Sequence, residues 1–264
     1  MTARDVLDLI KKNLGSPWNE KTYRDVFHAG DPNVEVKGIA TTFMATLDLL
    51  QRAHAAGMNL VITHETTFWN DRDETKDMTA DAVYRFKIDF CAKNQIAVLR
   101  FHDHAHSHRP DFIMTGLLRM LGWTADAGTR NPPIHRYPET TLGDLAAEIQ
   151  RRTNSKAFRV VGDPKAKVST ASAGMGYSTV RFMPEVDVMI IGENLEAGSA
   201  YDVTEYTLDA AFLGKSKGQI ILGHAISEEA GMEDVANWLR TFIRGVPIRF
   251  IRSGEPYWSP APRA

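Results

Sequence analysis

Short runs of β-branched and apolar residues alternate along this chain with segments of helical period, and no other feature restricts the fold as strongly. Asn59-Leu-Val-Ile-Thr63, Ile96-Ala-Val-Leu-Arg-Phe101 and Gln219-Ile-Ile-Leu222 are too short for helices and read as buried strands. Thr42 to Ala56 carries Phe43, Leu47, Leu50 and Ala53 at helical spacing, with Gly57 placed to stop the helix. Val6 to Leu14, Thr79 to Asn94 and Asp111 to Leu121 are further helices, the last stopped by Gly122, and Val34 to Ala40 reads as a strand. Repeated alternation of this kind predicts an α/β fold with largely parallel pairing.

The middle of the chain differs. Gly128-Thr-Arg-Asn-Pro-Pro133 is rich in turn residues and marks the best candidate boundary. Beyond it, Thr141-Leu-Gly-Asp144 resembles a helix-capping sequence ahead of Leu145 to Arg152. Strands are predicted at Phe158–Val161, Val168–Ala173 and Val186–Ile191, helices at Tyr201–Leu213 and Met232–Arg244, and a closing strand at Pro247–Ile251. Ser259-Pro-Ala-Pro-Arg-Ala264 reads as a loose tail. With 264 residues, the chain suits one large α/β domain or two intertwined smaller ones.

Composition excludes several classes. The formal charge is −2 and no long basic run occurs, so nothing calls for nucleic acid or an anionic membrane surface. No apolar stretch reaches membrane-spanning length, and the amphipathic N-terminus lacks a signal-peptide core, so a cytoplasmic protein is expected. A single cysteine rules out a disulfide within the chain and a thiolate-rich metal site. Cys91 lies in an apolar helical run and reads as a small buried hydrophobe.

Chemistry concentrates where the strands end. Leu60-Val-Ile-Thr runs into His64-Glu65, Val98-Leu-Arg-Phe into His102-Asp-His-Ala-His106, and Ile220-Ile-Leu-Gly into His224-Ala-Ile-Ser-Glu228. Open α/β sheets bind ligands outside the carboxyl ends of their strands, which gives these side chains a reason to converge. Alone, each piece has a plain explanation: His64 as a hydrogen-bonded core histidine, His102 to His108 as a solvated strip sharing one face of an extended chain, His224 and Glu228 as a surface pair on a helix. Their joint occurrence after buried strands favours a metal site of His64, Glu65, His106, His224 and Glu228, which His102 or His104 joins if the loop register differs by a residue or two. Imidazole and carboxylate donors without thiolate suit Zn, Fe, Mn, Co or Ni rather than Cu(I). Two such ions need bridging anions, a role open to Glu65 and Glu228, and the pair would activate a water. Asp103 is a candidate to orient a ligating imidazole. Ala173-Gly-Met-Gly176 lacks the third glycine of a dinucleotide-binding turn and reads as a plain turn.

These motifs resemble the NGG-interacting factor three-like proteins, also called GTP cyclohydrolase I type 2 homologues. The family has a paired-histidine motif after a buried strand, preceded by a helix ending Ala-x-x-x-Gly, matched here by Ala53-His-Ala-Ala-Gly57 and Leu60-Val-Ile-Thr-His-Glu65. His102-Asp-His-Ala-His106 ahead of Leu117-Leu-Arg-Met-Leu-Gly122 is similar to its second segment, Val186 to Glu193 to its last strand before the final helix, and Gly223-His-Ala-Ile-Ser-Glu228 to its closing motif. Two positions depart: Glu65 stands where the family has the second histidine, and His106 where it has a bridging aspartate. The resemblance implies two three-layer α/β lobes with the metal site in the cleft between them, one lobe from 1–130 plus 218–264 and the other inserted at 131–217. It also implies two divalent metal ions and a homo-oligomer, a toroidal hexamer. The implied activity is metal-dependent hydrolysis of a small molecule, nucleotide or pterin-like, with Glu65 and Glu228 catalytic. The rival is a non-catalytic metal-handling protein or oligomeric scaffold. His102 to His106 also resembles part of the metallo-β-lactamase signature, but that signature needs an acid at position 106 and a histidine at position 107, and this chain has His106 and Ser107.

Overall fold

In the computed structural model the chain forms two compact units, Met1–Ile113 with Gly231–Ser253, and Met114–Ala230 with Gly254–Ala264. The structure describes residues 1–123, 132–177, 183–196, 199–258 and 260. Most of the turn-rich boundary segment read from sequence lies outside the described residues, as do Ser259 and 261–264 of the expected tail. Each unit is α/β, built on its own five-stranded sheet.

The sheet of the first unit runs β1 (Phe27–Ala29), β4 (Ala97–Arg100), β3 (Leu60–Thr63), β2 (Ile39–Thr42), β10 (Ile248–Phe250). β4, β3, β2 and β10 are parallel, and β1 closes the edge antiparallel to β4. Every residue of β2, β3 and β4 is buried, the apolar ones as a parallel strand covered on both faces requires and Thr41, Thr42, Thr63 and Arg100 with them. Each fully buried Val, Leu or Ile contributes about 1.5–3 kcal/mol of apolar burial. The register aligns Thr42 with Thr63 and Thr63 with Arg100, so the three strands end level with one another. Helices α1 (Ala3–Asn13), α2 (Leu47–Ala55) and α3 (Ala82–Lys93) start on side-chain caps from Thr2, Thr46 and Asp81. Gly57, at φ +78°, ends α2 as its sequence predicts, its N–H bonding His54 O at 2.9 Å.

The predicted strand at Val34–Ala40 is displaced to Ile39–Thr42. Val34 and Val36 instead bond the backbone of the N-terminal segment, through Ala3 N–H to Val34 O at 3.0 Å and Val36 N–H to Met1 O at 2.9 Å. Helix α8 (His224–Phe242) starts eight residues before the predicted Met232. Gly231 looks like a breaker in sequence but serves packing: a Cβ there would lie 2.5 Å from Ile113 Cα.

The second sheet runs β5 (Ile134–Thr141), β7 (Lys167–Ala173), β8 (Val188–Ile191), β9 (Gly218–Ile221), β6 (Arg159–Gly162). Its centre, β7-β8-β9, is parallel and both edges are antiparallel. β9, assigned from sequence to the first lobe, thus pairs within the second sheet. β5 went unpredicted because its half-exposed polar sequence, IHRYPETT, carries no apolar run. Thr141 caps α6 (Leu142–Thr153) by accepting from Asp144 N–H at 3.1 Å. Leu142, Leu145 and Ile149 pack with Val168, Val188 and Ile220 from the sheet and Leu117 and Leu121 from α5 (Phe112–Leu121). α7 (Ser199–Phe212) completes the unit. Among the described residues no helix is long and apolar enough to cross a membrane.

Candidate metal centre

In the first unit, His64 and His102 follow the carboxyl ends of neighbouring parallel strands. The register that pairs Thr63 with Arg100 brings their rings to 4.5 Å, stacked. His106 stands edge-on to both, with centroids 5.1 Å from each. One ring nitrogen from each of the three lies within 4.8 Å of the others, close enough for a single metal ion. Each Nδ1 faces an oxygen acceptor: Phe101 O at 3.2 Å from His64, Asp103 Oδ1 at 3.0 Å from His102, Asp111 Oδ2 at 3.1 Å from His106. A carbonyl or ionised carboxylate cannot donate, so Nδ1 is the donor in each contact, and a neutral ring in this setting keeps its lone pair on Nε2. This is how ligating histidines are held in metalloproteins.

The sequence strip His102 to His108 is not extended. Asp103–Ser107 forms a short helix, α4, so His102 and His106 share a face by their four-residue spacing and His104 points elsewhere. Asp25 is responsible. Its buried carboxylate accepts the backbone N–H groups of His102, Asp103 and His104, capping the helix from a distant part of the chain. The same carboxylate holds His104 Nδ1, while His104 Nε2 accepts from Asn19 N–H at 2.8 Å and the ring stacks on Trp18 at 3.6 Å. Both nitrogens of His104 are occupied away from the other imidazoles.

Glu65 follows His64. Its Oε2 accepts from Arg100 Nη2 at 3.1 Å, and its Oε1 lies 3.9 Å from His102 Nε2. Arg100 ends β4 with its side chain 1% exposed. Burial leaves such a cation needing several partners, and it has them: Nε donates to His64 O, Nη1 to Asp71 O, and Nη2 to Glu65 and Asp71. Asp71 also accepts from Arg24 and Tyr23, and Arg24 reaches on to Asp103 Oδ1 at 3.0 Å. The Arg24 hydrogen bond is the main force holding Asp71 below the ordinary carboxylate range. At Asp103 burial opposes ionisation, but hydrogen bonds from Thr22, His102 and Arg24 outweigh it and lower the pKa. Burial, and then the neighbouring imidazoles His64 and His106, push His102 down to about 3. That ring is a neutral donor at physiological pH.

In the second unit, His224 opens α8 after β9, and Glu228 is one turn on. His224 Nε2 lies 3.1 Å from Glu228 Oε2, and Nδ1 lies 3.6 Å from Glu193 Oε1, which follows β8. The turn after β7 packs against the pair. Gly176 N–H donates to Ser227 Oγ at 3.0 Å, and Glu193 N–H to Gly176 O at 2.9 Å. A Cβ on Gly176, whose φ is +47°, would lie 2.1 Å from Glu228 Oε1 and 2.9 Å from His224 Nε2. One on Gly192 would lie 2.4 Å from Gly176 N. The Gly-Met-Gly turn is therefore more than a plain connection: Gly176 within it and Gly192 after β8 let these strand ends close around His224. Sequence reasoning assigned no role to Gly176, Gly192, Asp25 or Asp111. The signals were glycines directly after two neighbouring strands, and an acid five residues past His106.

In sequence, residues 1–256 match the family model for Duf34/NIF3 (NGG1p interacting factor 3). No curated protein matches the chain. In fold it is similar to the hypothetical protein SA1388 of Staphylococcus aureus, at TM-score 0.70 and 16% identity over 98% of this chain and 99% of that one. It is also similar to protein ybgI, described as of unknown function, at TM-score 0.71 and 20% identity over 97% and 100%. A Bacillus cereus protein related to NIF3 superposes at TM-score 0.69 and 13% identity over 100% and 99%. The match of the family model over residues 1–256, on a chain whose strand ends carry these histidine and glutamate groups, makes this protein a member of the Duf34/NIF3 family.

Proposed function

We propose that this protein is a divalent-metal-dependent hydrolase acting on a small molecule. One observation carries the reading: three imidazoles converge, one ring nitrogen of each within 4.8 Å of the others, and each Nδ1 faces an oxygen acceptor that fixes its ring. Such a cluster has little purpose in a core, where stacked imidazoles only crowd polar atoms, and suits a cation well. His64, His102 and His106 hold an ion in this reading, with Glu65 beside them; a second ion, with His224 and Glu228 as its donors, is what the family resemblance adds. A bound divalent ion makes water a nucleophile near neutral pH. Glu228, buried beside His224, and Glu65, fixed by Arg100, are the groups suited to take and return the proton. The family resemblance adds a nucleotide or pterin-like substrate and a toroidal hexamer.

The test is metal content by elemental analysis, followed by turnover on phosphate esters, carboxylic esters and cyclic amides with Zn, Mn, Fe, Co or Ni. Metal-dependent turnover lost in His224→Ala supports the reading. Full loading with no turnover on any of these favours the second reading, a metal-handling or scaffold protein. One feature favours that rival: Glu65 shares its charge with buried Arg100, which weakens it as a bridge between ions. Absence of loading by any of the five metals overturns both.

A further inference from the structure

Glu65 and His102 sit at the two ends of one chain of alternating charge. From Glu65 it passes to Arg100, then Asp71, Arg24, Asp103 and finally His102 Nδ1, each step a hydrogen bond of 3.1 Å or less. The last step returns toward the start, since His102 Nε2 is 3.9 Å from Glu65 Oε1. Tyr23 and Thr22 add hydroxyl donors to Asp71 and Asp103. The links come from four separate stretches: the loop before β1, the strand end after β3, the Asp71 loop, and β4 with α4.

We propose that Arg24 and Asp71, neither of which touches the three-imidazole cluster, are positioning residues for the metal site. They tie the β3 and β4 ends into one network that fixes the His102 tautomer and the Glu65 rotamer before a cation arrives. Geometry and charge both support this role. A carboxylate gripped on one oxygen turns the other toward a fixed direction. Asp103 accepts from His102 on the same Oδ1 that Arg24 grips, while Thr22 holds Oδ2, so Arg24 helps to aim that oxygen at the ring. A guanidinium is needed at position 24 because it grips Asp71 through Nε and Nη2 and Asp103 through Nη1 at once, which an ammonium cannot copy. Arg24 and Asp71 are also part-exposed, at 28% and 47% of the side chain, so neither is required simply to fill the core.

The inference rests on the metal reading, and the experiment separates the two. Co(II) is titrated into the full chain and into Arg24→Met, Asp71→Asn and Arg24→Lys, with affinity and visible absorption recorded; on the metal-free proteins, the His102 ring nitrogens are read by nitrogen NMR. Outer partners of ligating histidines change metal affinity by about 10–100-fold. Arg24→Met and Asp71→Asn are expected to weaken Co(II) by that factor, shift its absorption bands and mix the His102 tautomers, with the melting temperature of the metal-free protein held. Arg24→Lys recovers only part of the affinity. Unchanged affinity, bands and His102 tautomer in Arg24→Met and Asp71→Asn overturn the inference even if the wild type binds Co(II) tightly. If the wild type binds none, the metal reading fails, and the tautomer comparison alone decides whether the network orients His102.

Discussion

The two units use the same architectural device for different chemistry. In both, neighbouring parallel strands end level and hand polar side chains to the loops beyond them. The first unit delivers three imidazoles, each with its proton tied to an oxygen behind it. The second delivers one imidazole between two carboxylates, Glu193 and Glu228, packed by glycines. The first set gathers three imidazoles at one point and keeps Asp103 and Asp111 on the Nδ1 side of its rings. The second carries its charge compensation within it. Imidazoles gathered at one point are suited to a cation from outside; an imidazole between acids is suited to passing protons or to lending anionic oxygen.

The largest expected effect tests the first set. His106→Ala or His64→Ala removes one of three convergent donors and should lower affinity for the first metal by more than about 100-fold, or about 3 kcal/mol. Loading equal to wild type in either variant, by elemental analysis, would break the comparison. Next, Glu228→Gln keeps the shape of the second set and deletes its charge. Turnover should fall about 10²-fold or more, with the first metal still bound; if first-metal loading vanishes instead, the two sets do not divide the work in this way. Gly176→Ala places a methyl against Glu228 Oε1 at a left-handed residue. It should cost about 1–3 kcal/mol, seen as a melting temperature lower by several degrees, and metal loading at the three imidazoles should hold. The smallest effect belongs to His104→Gln. That residue is occupied by Asp25, Asn19 and Trp18, so Co(II) affinity should stay within about threefold, or about 0.7 kcal/mol. A tenfold loss would place His104 in the site.

The parts of this arrangement legible in sequence are those governed by burial. Leu60-Val-Ile-Thr63 and Gln219-Ile-Ile-Leu222 announce strands because an unbroken apolar run has few other uses at that length, and the residues just past a parallel strand are already at the binding edge of the sheet. The hidden parts depend on partners far away in sequence. α4 has five residues and no cap of its own, so nothing local separates it from an extended segment; Asp25, over seventy residues earlier, makes it helical. His104 therefore looked equivalent to His102 and faces away. Arg100 is a charge inside a buried strand, and its partners Glu65 and Asp71 are set by the loop after β3. Gly176 and Gly192 read as turns because the close approach that requires a missing side chain exists only once three strands lie side by side.

The level ending of β3 and β4 has a consequence for assembly of the protein in time. His64 meets His102 only because Thr63 lies opposite Arg100. A slip of one residue would bring Phe101 or Asp103 to the cluster, and would also pull Phe101 from its stacking on Trp238. Uptake of a coloured ion such as cobalt would therefore report when these two strands have found their mates.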